Sequence, residues 1–131
     1  MKKFAGLLLL CMATMFAFSA CSDDDDLPKG ESMEQLVVGT WDVVWAEQEG
    51  ESVDLPKGEV WASFKADKSY MVMMFGDRYI GTYKIEGNTV VGTTLDPITE
   101  YFKFTTIKGD QAEIDYRNST KERMRFRAIK R

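Results

Sequence analysis

The chain has 131 residues, room for one domain, with 17 Lys+Arg against 21 Asp+Glu and a formal charge of −4. It has no His and only 2 Cys, both within the first 21 residues. Ser-His-Asp and Cys-His nucleophilic centres, His-ligated metals, a zinc knuckle and a disulfide framework are therefore excluded, and an acidic domain has no electrostatic footprint for nucleic acid.

Lys2 and Lys3 open the chain with positive charge, and residues 4–18 follow as an apolar stretch broken by Gly6 and Thr14. Small residues Ser19 and Ala20 come next, which completes the pattern of a secretory signal. The apolar stretch is shorter than the ~20 residues that a spanning helix needs. The quartet Phe18-Ser19-Ala20-Cys21 resembles a bacterial lipobox, with Phe18 in the place usually held by Leu. That resemblance implies cleavage before Cys21 and acylation of its thiol. Acyl chains would hold the protein to a membrane without spanning it. The domains expected are a signal peptide over residues 1–20, a lipidated tether over 21–32 and a folded domain over 33–131.

Asp23, Asp24, Asp25 and Asp26 repel one another, so the tether is expected to be solvated and extended. An acidic run directly after the lipidated Cys resembles the surface-export signal of Bacteroidota lipoproteins. It implies an outer-membrane protein exposed at the cell surface, with a plain spacer and a periplasm-facing anchor as alternatives. A calcium site is a third reading, but consecutive Asp side chains lack the spaced loop of an EF-hand.

Ser32-Met33-Glu34-Gln35 fits a capping box and predicts one helical turn to about Val38, stopped by Gly39. From there the apolar period becomes two. Trp41, Val43 and Trp45 alternate with Asp42, Val44 and Ala46. Similar alternation runs through residues 59–65, 79–85, 112–117 and 123–128. Residues 70–75 are apolar on both faces, and 89–94 and 98–107 are β-branched or aromatic. Short turn signals separate eight strands, and only residues 47–57, with Pro56, read as a longer loop. Sequential hairpins without a crossover helix predict an all-β fold, a small eight-stranded antiparallel up-and-down barrel; an open two-sheet sandwich is the other possibility.

Three motifs in order then resemble lipocalins. Leu36-Val37-Val38-Gly39-Thr40-Trp41 is similar to the short helix and Gly-x-Trp start of their first strand. Phe64-Lys65-Ala66-Asp67-Lys68-Ser69-Tyr70 and Gly81-Thr82-Tyr83-Lys84-Ile85-Glu86-Gly87-Asn88 resemble two of their hairpins. Over residues 33–131 the pattern is similar to lipocalin-like domains of small Bacteroidota lipoproteins. The resemblance implies that Trp41 plugs the closed end of the barrel and that a late-strand Arg, Arg123 or Arg125, packs across it.

A barrel of eight strands is either filled by side chains or holds one small ligand. Met71, Met73 and Met74 are adaptable apolar side chains. They would line a pocket with Tyr79, Tyr83, Tyr101 and Phe102 or, as small barrels must fill their interior, fill the core. Trp61 falls opposite Phe64, either as an exposed contact or packed under the loop. Arg123, Arg125 and Arg127 form an outward row that would face an anionic partner or pair with Glu113 and Asp115. Glu100 and Asp115 are conceivable as an acid/base pair, but nothing in their spacing singles them out. No phosphate loop, nucleophile elbow or metal cluster is present. The expectation is therefore a protein that is not an enzyme, without cofactor, catalytic residues or metal. It would be tethered to a membrane through Cys21 and bind a small apolar or amphipathic ligand. A filled barrel that contacts a protein partner, or inhibits a hydrolase, is the alternative.

Overall fold

The computed structural model describes Leu27, Pro28 and residues 32–131; the leader, Cys21 and the acidic run lie outside the described residues. Helix α1 (Met33–Val37) is followed by β1 (Gly39–Gln48), β2 (Glu51–Asp54), β3 (Val60–Phe64), β4 (Ser69–Met74) and β5 (Asp77–Glu86). Strands β6 (Thr89–Thr94), β7 (Thr99–Lys108), β8 (Gln111–Asn118) and β9 (Arg123–Lys130) complete the chain. All pairings are antiparallel, and β9 pairs with β1 to close the sheet. The fold is thus the closed eight-stranded barrel that the alternation predicts, with one further strand that it does not.

The capping box forms as read. Ser32 Oγ accepts from the Gln35 amide at 3.3 Å, and Gln35 Oε1 accepts from the Ser32 amide at 3.5 Å. Helix α1 covers one end of the barrel, with Leu36 and Val37 in the core.

The extra strand corrects the expected loop over residues 47–57. Strand β1 runs on to Gln48, turns through Glu49 and Gly50, and returns as β2. Both turn residues have positive φ, 53° and 83°, as a two-residue hairpin that matches strand twist requires. Every residue of β2 is exposed, so no apolar alternation marks it in the sequence. β2 and β3 lie along the same edge of β1, β2 on its second half and β3 on its first, separated by residues 55–59.

A register shift between Val43 and Trp45 makes a second correction. The extra residue, Val44, reverses the alternation. Trp41, Val43 and Ala46 are buried, while Trp45 turns outward, with Arg127 4.2 Å from its ring centre. Strand β7 carries a similar shift between Phe104 and Thr106, so Ile107 rather than Thr106 continues the buried series.

Asp42 is buried on the outside of the wall. Arg131 Nε and a terminal guanidinium nitrogen donate to it at 2.7 and 3.0 Å, and the Gly58 amide at 3.2 Å. The hydrogen bond from Arg131 holds the Asp42 carboxyl below its ordinary value, against burial and with help from the Arg131 charge and the Gly58 amide. Arg131→Ala would leave this carboxyl without its main partner, a loss of ~1–3 kcal/mol in urea unfolding at neutral pH. Because the folded value is depressed, the contribution is complete above the ordinary carboxylate value of about 4. It fades as pH falls through the lower folded value. The gap between the wild type and the variant should therefore narrow in acid; a gap constant with pH would contradict this account.

Candidate functional site

The strand alternation decides what the interior holds. Eight aromatic side chains point inward: Trp41, Phe64, Tyr70, Tyr83, Phe102, Phe104, Tyr116 and Phe126. They form a continuous chain of edge, tilted and stacked contacts with ring centres 5.2–6.5 Å apart. Rings packed at this spacing fill the centre of a barrel of eight strands.

One carboxyl lies among them. Glu100 is 2% exposed. Tyr70 donates to its Oε1 and Tyr116 to its Oε2, each at 2.7 Å. Asn118 Nδ2 donates to the Tyr116 hydroxyl at 3.0 Å, which links the group to the β8–β9 turn. Tyr70 reaches Glu100 by passing over Gly92, where an added Cβ would stand 2.5 Å from the ring. Burial, reinforced by the nearby Glu100, pushes both phenols far above their ordinary value, so they remain donors. Each carboxyl oxygen thus holds a tyrosine, an arrangement that ties β4, β7 and β8 together. The signal for it was parity: Glu100 shares its face with Phe102 and Phe104, and Tyr116 with Ile114. Asp115, considered above as its acid/base partner, is exposed on the other side of the wall.

The candidate pocket residues divide between the two faces. Met74, Tyr79, Tyr83 and Phe102 are on the inward side. Met71, Met73 and Tyr101 point outward, because each is adjacent in a strand to a buried residue, Val72 or Phe102. The seven therefore do not converge on one cavity. Tyr83 is tied down by its hydroxyl, which donates to the Lys65 carbonyl at 2.6 Å. Tyr79 lies toward the end of the barrel away from α1. Burial raises its phenol, and the charges of Asp77, Glu100, Glu122 and Asp96 act in the same direction. At that end a cleft of about 240 Å³ lies between β2 and the β4–β5 turn, lined by Ala46, Val53, Phe75 and Met124 among others.

Trp41 closes the α1 end, where its indole N–H donates to the Val37 carbonyl at 3.0 Å. The cation across it is Lys130, not Arg123 or Arg125. The Lys130 ammonium is 5.1 Å from the ring centre and donates to the Leu36 carbonyl at 3.0 Å. Lys130 shares the inward parity of Phe126 and Ala128, whereas Arg123 and Arg125 are exposed near the start of β9. Arg125 instead pairs with Glu47 at 3.1 Å and approaches Asp115 at 3.9 Å, and Arg127 lies 4.0 Å from Glu113.

The outer face of β3–β5 carries a group of apolar side chains that the core does not use. Trp61 is directly across from Met73, and Met71 from Ile80. Leu95 adjoins Ile80 through a backbone hydrogen bond of 3.0 Å. Ile80 and Leu95 are 44% and 74% exposed, and Trp61, Met71 and Met73 are half-buried. A shallow cleft of about 420 Å³ runs past Met71, Ile80 and Leu95, edged by Lys65, Thr82 and Thr93. Trp61 is flanked by Arg131, 5.5 Å from its ring centre, rather than standing alone.

The molecule is a small closed β-barrel, an architecture compatible with either ligand binding or an interaction module. A crystal structure of an uncharacterized protein from Bacteroides eggerthii is similar in fold, with a TM-score of 0.56 at 13% identity, covering 72% of this chain and 99% of that one. No family model and no curated protein matches the chain.

Proposed function

We propose that this protein is a lipid-anchored, lipocalin-like interaction module of the cell surface, without enzymatic activity, that binds a protein partner through the outer face of β3–β5. The observation that carries this reading is the division of apolar side chains. Eight aromatic rings occupy the interior, while Trp61, Met71, Met73, Ile80 and Leu95 lie together outside. A water-facing apolar group with a polar edge is the usual character of a contact surface, and Met suits it because it adapts to a partner. The lipobox-like quartet and the acidic run support the anchor and the surface location. The cleft beside Val53 and Phe75 favours a second reading, in which a small apolar ligand sits at the end away from α1.

A photo-crosslinking residue at position 73 or 80 of the full-length chain, expressed in its host, tests the surface. Position 84, exposed on β5 near the α1 end, is the control. Crosslinks to a discrete protein from 73 and 80 but not 84 are expected. Equal labelling at all three positions would remove the surface from consideration. Native mass spectrometry of the same chain in detergent separates the second reading. A small mass lost on denaturation would replace the partner model with a carried ligand.

A further inference from the structure

Across the barrel from that face, a cleft of about 580 Å³ lies between the tip of the β1–β2 hairpin and the outer surface of β6–β9. Its volume falls within the range of small-molecule sites, ~300–1,000 Å³. Its floor departs from the charge pattern around it. Along β8 and β9 the register sets Glu113 opposite Arg127 and Asp115 opposite Arg125, two complementary pairs. The next outward pair is Arg117 opposite Arg123, two like charges directly across from each other. Such a pair opposes folding unless an anion lies between its members.

No acidic side chain pairs with either arginine among the described residues. The Arg117 guanidinium carbon lies 4.2 Å from the centre of the Tyr101 ring, a stacked position that leaves its N–H groups uncommitted. Lys103, on the same face, adds a third cation, although its cross-strand neighbour is Asp115, which with Glu47 also lines the cleft. The opposite wall is of another kind: at the hairpin tip Gln48 and Glu49 offer hydroxyl-binding groups.

We infer that this cleft binds an acidic sugar. Arg117 and Arg123 clamp its carboxylate, sulfate or phosphate group, Lys103 supplies further positive charge, and Gln48 and Glu49 take ring hydroxyls. Paired guanidinium groups suit planar or tetrahedral oxyanions, and a bare anion would leave the hairpin wall without a partner. The inference does not depend on the partner face, which is formed by other strands.

Calorimetric titration of the full-length chain in neutral detergent tests it. The probes are a glucuronic-acid tetrasaccharide, N-acetylglucosamine 6-sulfate and glucose 6-phosphate, with maltotriose and inorganic sulfate as comparisons. At least one acidic sugar should bind more tightly than both comparisons, and added salt should weaken it. Arg117→Gln with Arg123→Gln should lower that affinity ~10–100-fold. Arg123→Glu provides the control for folding. It creates an opposite-charge pair with Arg117, so its melting temperature should equal or exceed the wild type while binding is lost. Inorganic sulfate binding as tightly as every sugar, maltotriose matching the acids, no binding by any acidic sugar, or Arg123→Glu retaining affinity would each overturn the assignment.

Discussion

Replacing both Tyr70 and Tyr116 by Phe, with Glu100 retained, is expected to cost ~3–5 kcal/mol of folding free energy. The reason is not lost volume, since the rings remain. Glu100 is 2% exposed and its two carboxyl oxygens accept one hydroxyl each. Without those hydroxyls it becomes an unsatisfied buried polar group, and leaving such a group costs far more than an ordinary hydrogen bond contributes. The triple variant that also carries Glu100→Met removes the need instead of the partners. It should recover most of the loss, because an apolar replacement of a whole buried polar set is often neutral. Urea unfolding of the three proteins decides the matter. A triple variant as unstable as the double would show that the polar group contributes net stability and not merely mutual satisfaction.

Trp41→Ala should be comparably damaging, ~3–5 kcal/mol, since it empties the end of the core beneath α1. Trp41 is 1% exposed and meets Phe104 edge-on at 5.5 Å. Its indole N–H also satisfies a terminal carbonyl of α1. Lys130→Met keeps the side-chain stem and removes only the ammonium, so it should cost ~0.5–2 kcal/mol. Thermal unfolding of both variants gives the ratio. A Lys130 effect as large as that of Trp41 would mean that the ammonium, through the Leu36 carbonyl, rather than the indole, secures the helix.

Much of this architecture was legible because a strand exposes one side chain in two to each face. Val60, Ala62 and Phe64 read as inward and are buried; Arg123, Arg125 and Arg127 read as outward and are exposed. The pairing of Arg125 and Arg127 with Asp115 and Glu113 followed from the same rule. The candidate pocket was less legible. Met71, Met73 and Tyr101 group with the inward residues by chemical type, but their position in the alternation puts them outside. Glu100 was visible only as an acid on a hydrophobic face, and its two partners come from strands distant in the chain.

Local signals in the chain suffice for the number of barrel strands, the meander order, the capping of α1 and the face of most side chains. These depend on local period, turn chemistry and capping, which act within a few residues. Other features arise from contacts between distant strands. The extra residue at Val44 turns Trp45 outward and Ala46 inward, a change that no count of period two contains. The β1–β2 hairpin is held by backbone pairing with an exposed strand, so its side chains give no sign of it. Closure of β9 on β1 brings Lys130 across Trp41, and the β8–β9 register sets Arg117 against Arg123. Each of these depends on which residues face one another across strands, a relation set by closing the barrel and not by neighbours in the chain.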